Sequence, residues 1–260
     1  MKKKESYRHI LPHFQQPGQS YFVTWSLHEA IPLKALARYT SELATLKSQM
    51  KLLEQQKPDL SEIEKIKQEY YSIRRQYIKA YDDLLDSDRN PKIDLSKPEN
   101  LEIMFSSLQF WEGKRLQNIA FTIMPNHVHW VVKLFDKDSA ENPVYLQDIL
   151  QSVKRHSSNK INKAENRLGT LWQKESFDTT IRNDKHLYYA IKYTLNNPVK
   201  AGLVSDWKDW KGTWMQRFPI AARMRLKIAS PKGDLHPFRH LNSQHPQCIG
   251  NYLCSKMRQG

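Results

Sequence analysis

Two strand-like segments, 115–124 (RLQNIAFTIM) and 127–134 (HVHWVVKL), are separated only by Pro125 and Asn126, and this pair most constrains the fold. Both are rich in β-branched and aromatic residues, and a two-residue connection joins such segments only as an antiparallel hairpin. Residues 19–27 (QSYFVTWSL) alternate bulky and small polar side chains, and 176–182 (SFDTTIR) is a further short strand of the same kind. Helical spacing separates these strands. Leu101, Met104, Phe105, Leu108 and Trp111 fall on one side of 98–111, and 145–162 is amphipathic. A last helix is expected over 184–196, capped by Asn183 and stopped by Pro198. The order strand, helix, strand, strand, helix, strand, helix predicts an α+β chain. Its core is a ferredoxin-like split βαβ domain with a central antiparallel sheet.

Residues 33–85 interrupt that order with long, charged sequence at helical spacing. Leu43, Leu46, Met50 and Leu53 form one stripe, and Ile63, Ile66, Tyr70, Ile73, Tyr77, Ala80 and Leu84 form another beyond Lys57-Pro58-Asp59. Two antiparallel helices account for both, an inserted hairpin expected to be structural or to join two copies in a homodimer rather than to take part in chemistry. The main domain is then 1–32 with 86–214. It opens on an extended basic lead-in at 8–13 with a turn at 15–18, and a basic tail of little periodicity, 215–260, follows it.

A formal net charge of +14 and a pI near 9.6 favour a polyanionic partner, nucleic acid first. No apolar run approaches the roughly 20 residues that cross a bilayer, so no membrane partner and a cytoplasmic location are expected. Cys248 and Cys254 offer neither a disulfide framework nor a zinc-binding spacing.

His127 and His129 stand two apart in a predicted strand, so both imidazoles leave one face while Val128 enters the opposite layer. Such a pair either binds one ion or is simply packed. Tyr193 and Asn197, four apart, share a face of the last helix, with Tyr189 one turn earlier. They are either part of a site with the histidines or a core tyrosine and a C-terminal cap.

Three motifs in order favour the site. FTIMPNHVHWVV at 121–132, LWQKESFD at 171–178 with Ile181-Arg182, and YTLNNPVKAGLV at 193–204 resemble the REP-associated tyrosine transposases, within the single-tyrosine HUH transposase superfamily. The likeness extends over roughly 8–30 and 100–207 and leaves out the helical insertion and the tail. It implies a ferredoxin-like domain with the HUH strand at its centre. It further implies His127 and His129 as metal ligands, Tyr193 as nucleophile and Asn197 as third ligand. Asn196 is the alternative amide if the register slips by one, and Tyr188 and Tyr189 are rival nucleophiles.

The implied activity is cleavage and rejoining of single-stranded or hairpin DNA through a 5′-phosphotyrosine, with Mg²⁺ or Mn²⁺. Lys154, Arg155, Lys160, Lys163 and Lys200 are candidate phosphate contacts, and Trp172 with Gln173 candidate linings of the DNA path. Three rivals remain at this point: a nucleic-acid-binding module without catalysis, a phosphoesterase that activates water, and a structural, oligomer-forming protein dominated by its helical hairpin.

Overall fold

The computed structural model describes residues 6–8, 12–32, 34–55, 60–87, 91–174 and 176–216. The elements in chain order begin with a small ribbon, β1 (Ser6–Arg8) and β2 (Pro12–Phe14), followed by β3 (Ser20–Ser26). Next come the helices α1 (Ala37–Gln55), α2 (Leu60–Ser87) and α3 (Pro98–Gln109), then β4 (Leu116–Ile123) and β5 (His127–Leu134). The chain continues through α4 (Leu146–Ala164), β6 (Phe177–Ile181), α5 (Asp184–Lys200) and β7 (Thr213–Met215).

One five-stranded sheet runs in the order β6-β3-β5-β4-β7, and every described pairing in it is antiparallel. β3 and β4 flank β5, and β5 and β6 flank β3, so two split βαβ units interleave, the ferredoxin-like arrangement expected from the element order. β5 is central. Its hydrogen bonds to β3 place Thr24 opposite His129 and Ser26 opposite His127, and on its other side Thr122 of β4 lies opposite His129.

The apolar layer lies on the face of Trp25, Phe121 and Trp130. Trp25 packs edge-on against Trp130 and Trp172, and Phe121 against Phe105 of α3. Two of the three indole N–H groups here are satisfied, Trp130 Nε1 donating to Asn118 Oδ1 (2.6 Å) and Trp172 Nε1 to Ser157 Oγ of α4 (3.0 Å), while that of Trp25 meets no partner among the described residues. Asn118 also borders a register shift in β4 and donates its amide to Leu108 O at 3.1 Å, tying the strand to the end of α3.

Three expectations are corrected. Pro198 does not stop the last helix, which runs through it to Lys200. The missing N–H of a proline loses one hydrogen bond, and only two helical residues follow before Gly202, at φ 69°, turns the chain. β7 was not foreseen, and it carries the sheet to Met215, one residue into the expected tail. α2 extends to Ser87, and its last turns pack on the sheet, because its apolar face widens there. Ile78, Tyr81 and Leu85 are buried beside the Tyr70–Tyr77 stripe. Residues 217–260, with both cysteines, lie outside the described residues. None of the described helices is long and apolar enough to cross a membrane.

Candidate active site

The face of β5 opposite the tryptophans is as deeply buried but polar. His127 and His129 are both 0% exposed, and their Nε2 atoms approach to 3.0 Å. Each ring is fixed from behind. Asn126 Nδ2 donates to Leu85 O (3.0 Å), which turns Asn126 Oδ1 toward His127 Nδ1 at 2.6 Å, so Nδ1 carries the hydrogen and Nε2 of the neutral ring is a lone pair. Burial pulls the His127 pKa down to about 4, against the opposing pull of Asp82 and Asn197, so the ring is neutral near pH 7. His129 Nδ1 meets Thr24 Oγ1 at 2.8 Å, and a hydroxyl serves either tautomer. His129 can therefore donate from Nε2 to His127, or hold its proton on Nδ1 and turn a second lone pair toward the first.

α5 supplies the third side of the site. The Tyr193 ring stands edge-on to His129, with centroids 5.2 Å apart, and edge-on to Phe22 at 5.8 Å. One turn on, Asn197 is 1% exposed, and its amide lies close enough to His127 to favour the charged ring, although neither its oxygen nor its nitrogen meets strict hydrogen-bond geometry. Asn196 is half-buried, so the amide that faces inward is Asn197. Tyr188 and Tyr189 are half-buried and meet edge to face, whereas the ring on His129 is that of Tyr193.

A metal ion fits this donor set. Two nitrogens bound to one ion at about 2.1 Å and roughly a right angle stand about 3.0 Å apart, the spacing of an octahedral site for a hard divalent ion. The orphaned Asn197 amide offers an oxygen, and hydrogen bonds behind each imidazole are the usual support of metal-bound histidines. Among the described residues no group of three or more His, Cys, Asp or Glu gathers with metal-binding geometry, so the third ligand would be the amide.

The insertion enters the site as well, which the sequence reading did not expect. The Tyr193 hydroxyl donates to Asp82 Oδ2 of α2, and Lys200 Nζ donates to the same oxygen at 2.7 Å. Lys200 also pairs with Asp86 at 2.8 Å. Burial, then the negative charge and hydrogen bond of Asp82, hold the Tyr193 pKa well above its ordinary value. Burial acts against the Lys200 charge, but Asp82 and Asp86 outweigh it and raise its pKa. Burial and the neighbouring Asp82 push Asp86 up to about 6. Beside them the Tyr81 hydroxyl and Ser26 Oγ share a 2.7 Å hydrogen bond.

The remaining candidates divide. Lys154, Arg155 and Trp172 line a groove of about 550 Å³ between α4 and the segment before β6, where Lys154 Nζ donates to Gln173 O at 3.1 Å. Lys160 and Lys163 are exposed on α4, while Lys200 belongs to the tyrosine site. Gln173 Nε2 donates to His28 O, and its backbone N–H to Ser26 O.

A protein of Haemophilus influenzae described as "Putative REP-associated tyrosine transposase" is 33% identical over 106 residues, 39% of this chain and 60% of the relative. The chain resembles the REP-associated tyrosine transposases. The match spans about 60% of that relative's length. No family model matches. A solved structure of a REP-associated tyrosine transposase bound to a REP hairpin aligns over 91% of this chain and 94% of its own, at 16% identity and a TM-score of 0.42.

Proposed function

We propose that the protein is a DNA strand transferase that cuts and rejoins single-stranded or hairpin DNA through a covalent bond to Tyr193, with His127, His129 and Asn197 holding Mg²⁺ or Mn²⁺. The observation that carries this reading is the packing of one phenol against a pair of convergent imidazoles, all positioned by regular elements. The similarity to a REP-associated tyrosine transposase supports the choice of substrate.

In the cleavage step the Tyr193 oxygen attacks the scissile phosphorus. The phosphorus–tyrosine bond forms as the bond to the 3′ oxygen breaks, the phenol proton is lost and the departing 3′ oxygen gains one. Attack by a second 3′ hydroxyl reverses these changes and rejoins a strand without a nucleotide cofactor. A divalent ion, when bound, neutralises charge on the phosphate. The chain's own residues do the rest. Phe22 and His129 fix the plane of the phenol, Thr24 and Asn126 fix the imidazoles, and Lys200 supplies a cation beside the nucleophile. Lys154, Arg155, Lys160 and Lys163 hold phosphates away from the cut.

The test is a protein–DNA adduct resistant to denaturant, formed with Mn²⁺ and labelled single-stranded hairpins. Wild type is expected to form it, and Tyr193→Phe to form none. Binding without an adduct would favour the non-catalytic module, and cleavage that survives Tyr193→Phe would favour activated water.

A further inference from the structure

The site described above is complete but shut. His127 and His129 are 0% exposed, Asp82 5% and Tyr193 7%, so a DNA backbone cannot reach the phenol as the chain stands. The cover is the C-terminal half of α2. Tyr81 and Tyr77 pack their rings on Phe177, the Tyr81 hydroxyl bonds Ser26, and Leu85 O accepts from Asn126. The contact that closes over the nucleophile is charged. Asp82 Oδ2 receives the phenol hydroxyl and the Lys200 ammonium together, with Asp83 and Asp86 on the same helix also near Lys200.

A phenol hydroxyl and an ammonium donating to one carboxylate oxygen would donate equally to a non-bridging oxygen of a phosphodiester, which brings the phosphorus beside the phenol oxygen that attacks it. We infer that the Asp82 carboxylate occupies the place of the scissile phosphate, making α2 a tethered acidic plug that a DNA strand displaces to reach Tyr193. This rests on the phosphotransfer reading above and adds to it a position for the substrate phosphate and a role for the insertion. Displacement exchanges one anion for another at Lys200, while the repulsion between three aspartates and an incoming backbone opposes binding until α2 withdraws.

Three measurements on the full chain decide the matter. In EDTA, where no cutting occurs, fluorescence anisotropy compares the affinity of wild type and Asp82→Asn for a fluorescein-labelled single-stranded oligonucleotide. Asp82→Asn is expected to bind about fivefold or more tightly. Glu62→Gln, the same change of charge on an exposed part of α2, should stay within about twofold. Tyr81→Phe, neutral and loosening only the seat of the helix, should tighten binding in the same direction by less. Hydrogen exchange in wild-type α2 over 77–87 should quicken when the oligonucleotide is added. With Mn²⁺ and limiting DNA, adduct should form faster in Asp82→Asn than in wild type.

Affinity no better than that of Glu62→Gln, or exchange in α2 unchanged by DNA, overturns the plug. Slower adduct formation in Asp82→Asn also overturns it, because Asp82 would then be aiming the phenol. If no variant forms an adduct, the strand-transfer reading fails, and the binding and exchange results still judge the plug separately.

Discussion

Neighbouring positions on β3 and β5 feed two unlike layers. On the side of α3 and α4 stand Trp25, Val128, Trp130 and Val132, all 0% exposed and sealed by hydrocarbon and indole contacts. On the side of α2 and α5 stand Thr24, Ser26, His127 and His129, at 5% exposure or less, with hydroxyls and imidazoles in their place. Burial is equal and chemistry opposite. Polar groups kept this far from water give up packing energy, and they persist where each finds a partner or awaits one. The first layer holds one indole N–H, that of Trp25, without a partner among the described residues. The second leaves the Asn197 amide unmatched and sets two imidazole nitrogens face to face.

The sharpest test of that division swaps adjacent residues of one strand. Trp130→Ala should lower unfolding free energy by about 4 kcal/mol in urea titrations, since a fully buried indole leaves a cavity. His129→Ala should abolish the Mn²⁺-dependent adduct while shifting the urea midpoint far less. Equal destabilisation by the two changes would mean that the imidazole layer is ordinary core.

Metal should stabilise the second layer alone. With Mn²⁺ at about a hundred times its dissociation constant, the unfolding free energy is expected to rise by about 2.7 kcal/mol, seen as a higher Tm. His127→Ala should remove that rise and Asn197→Ala reduce it, whereas Trp130→Phe should keep it. An unchanged response in Asn197→Ala would take the amide out of the ligand set.

The carboxylates of α2 give the same layer a pH dependence. Asp86 has a folded pKa of about 6 against an ordinary 3.8, so the folded chain holds this proton more tightly than the unfolded one. Stability contributed by the protonated acid is present below about pH 4, declines as pH rises toward 6, and is flat above that. Asp86→Asn should remove this slope, gaining on wild type by about 2 kcal/mol between pH 4 and pH 7 in thermal melts. A parallel pH profile for the two proteins would show that Asp86 is not buried beside Asp82.

The sheet was readable because its evidence is local: a two-residue turn, alternating strands and helices whose apolar residues recur at three and four. The pair His127 and His129, with Tyr193 and Asn197, was readable as residues but not as a site. Strand and helix spacings put each pair on one face, and only the resemblance brought the two faces together. Asp82 was out of reach for a different reason. Its partners Tyr193 and Lys200 lie 111 and 118 residues away, and no periodicity within α2 encodes such contacts. The one available signal was that the apolar face of α2 broadens toward its end, with Ile78, Tyr81 and Leu85 beside the Tyr70–Tyr77 stripe. A helix serving only as one arm of a hairpin needs a single seam.

The smallest effect is expected at the rim of the first layer, where Lys97 of the α3 N-terminus meets Glu165 at the end of α4 at 3.1 Å. The lysine side chain is 52% exposed, and Glu165 is independently held by the Asn100 amide at 2.7 Å. Lys97→Ala should therefore change stability by less than about 0.5 kcal/mol, and raising salt toward 1 M should erase the difference. The Lys200–Asp82 pair is the counterpart on the other face, with its acid 7% exposed, and salt should hardly weaken it. Unfolding of Lys97→Ala and Lys200→Met at low and high salt compares the two directly. If the Lys200 difference also vanishes in salt, water reaches the tyrosine layer, and the two faces differ in composition but not in enclosure.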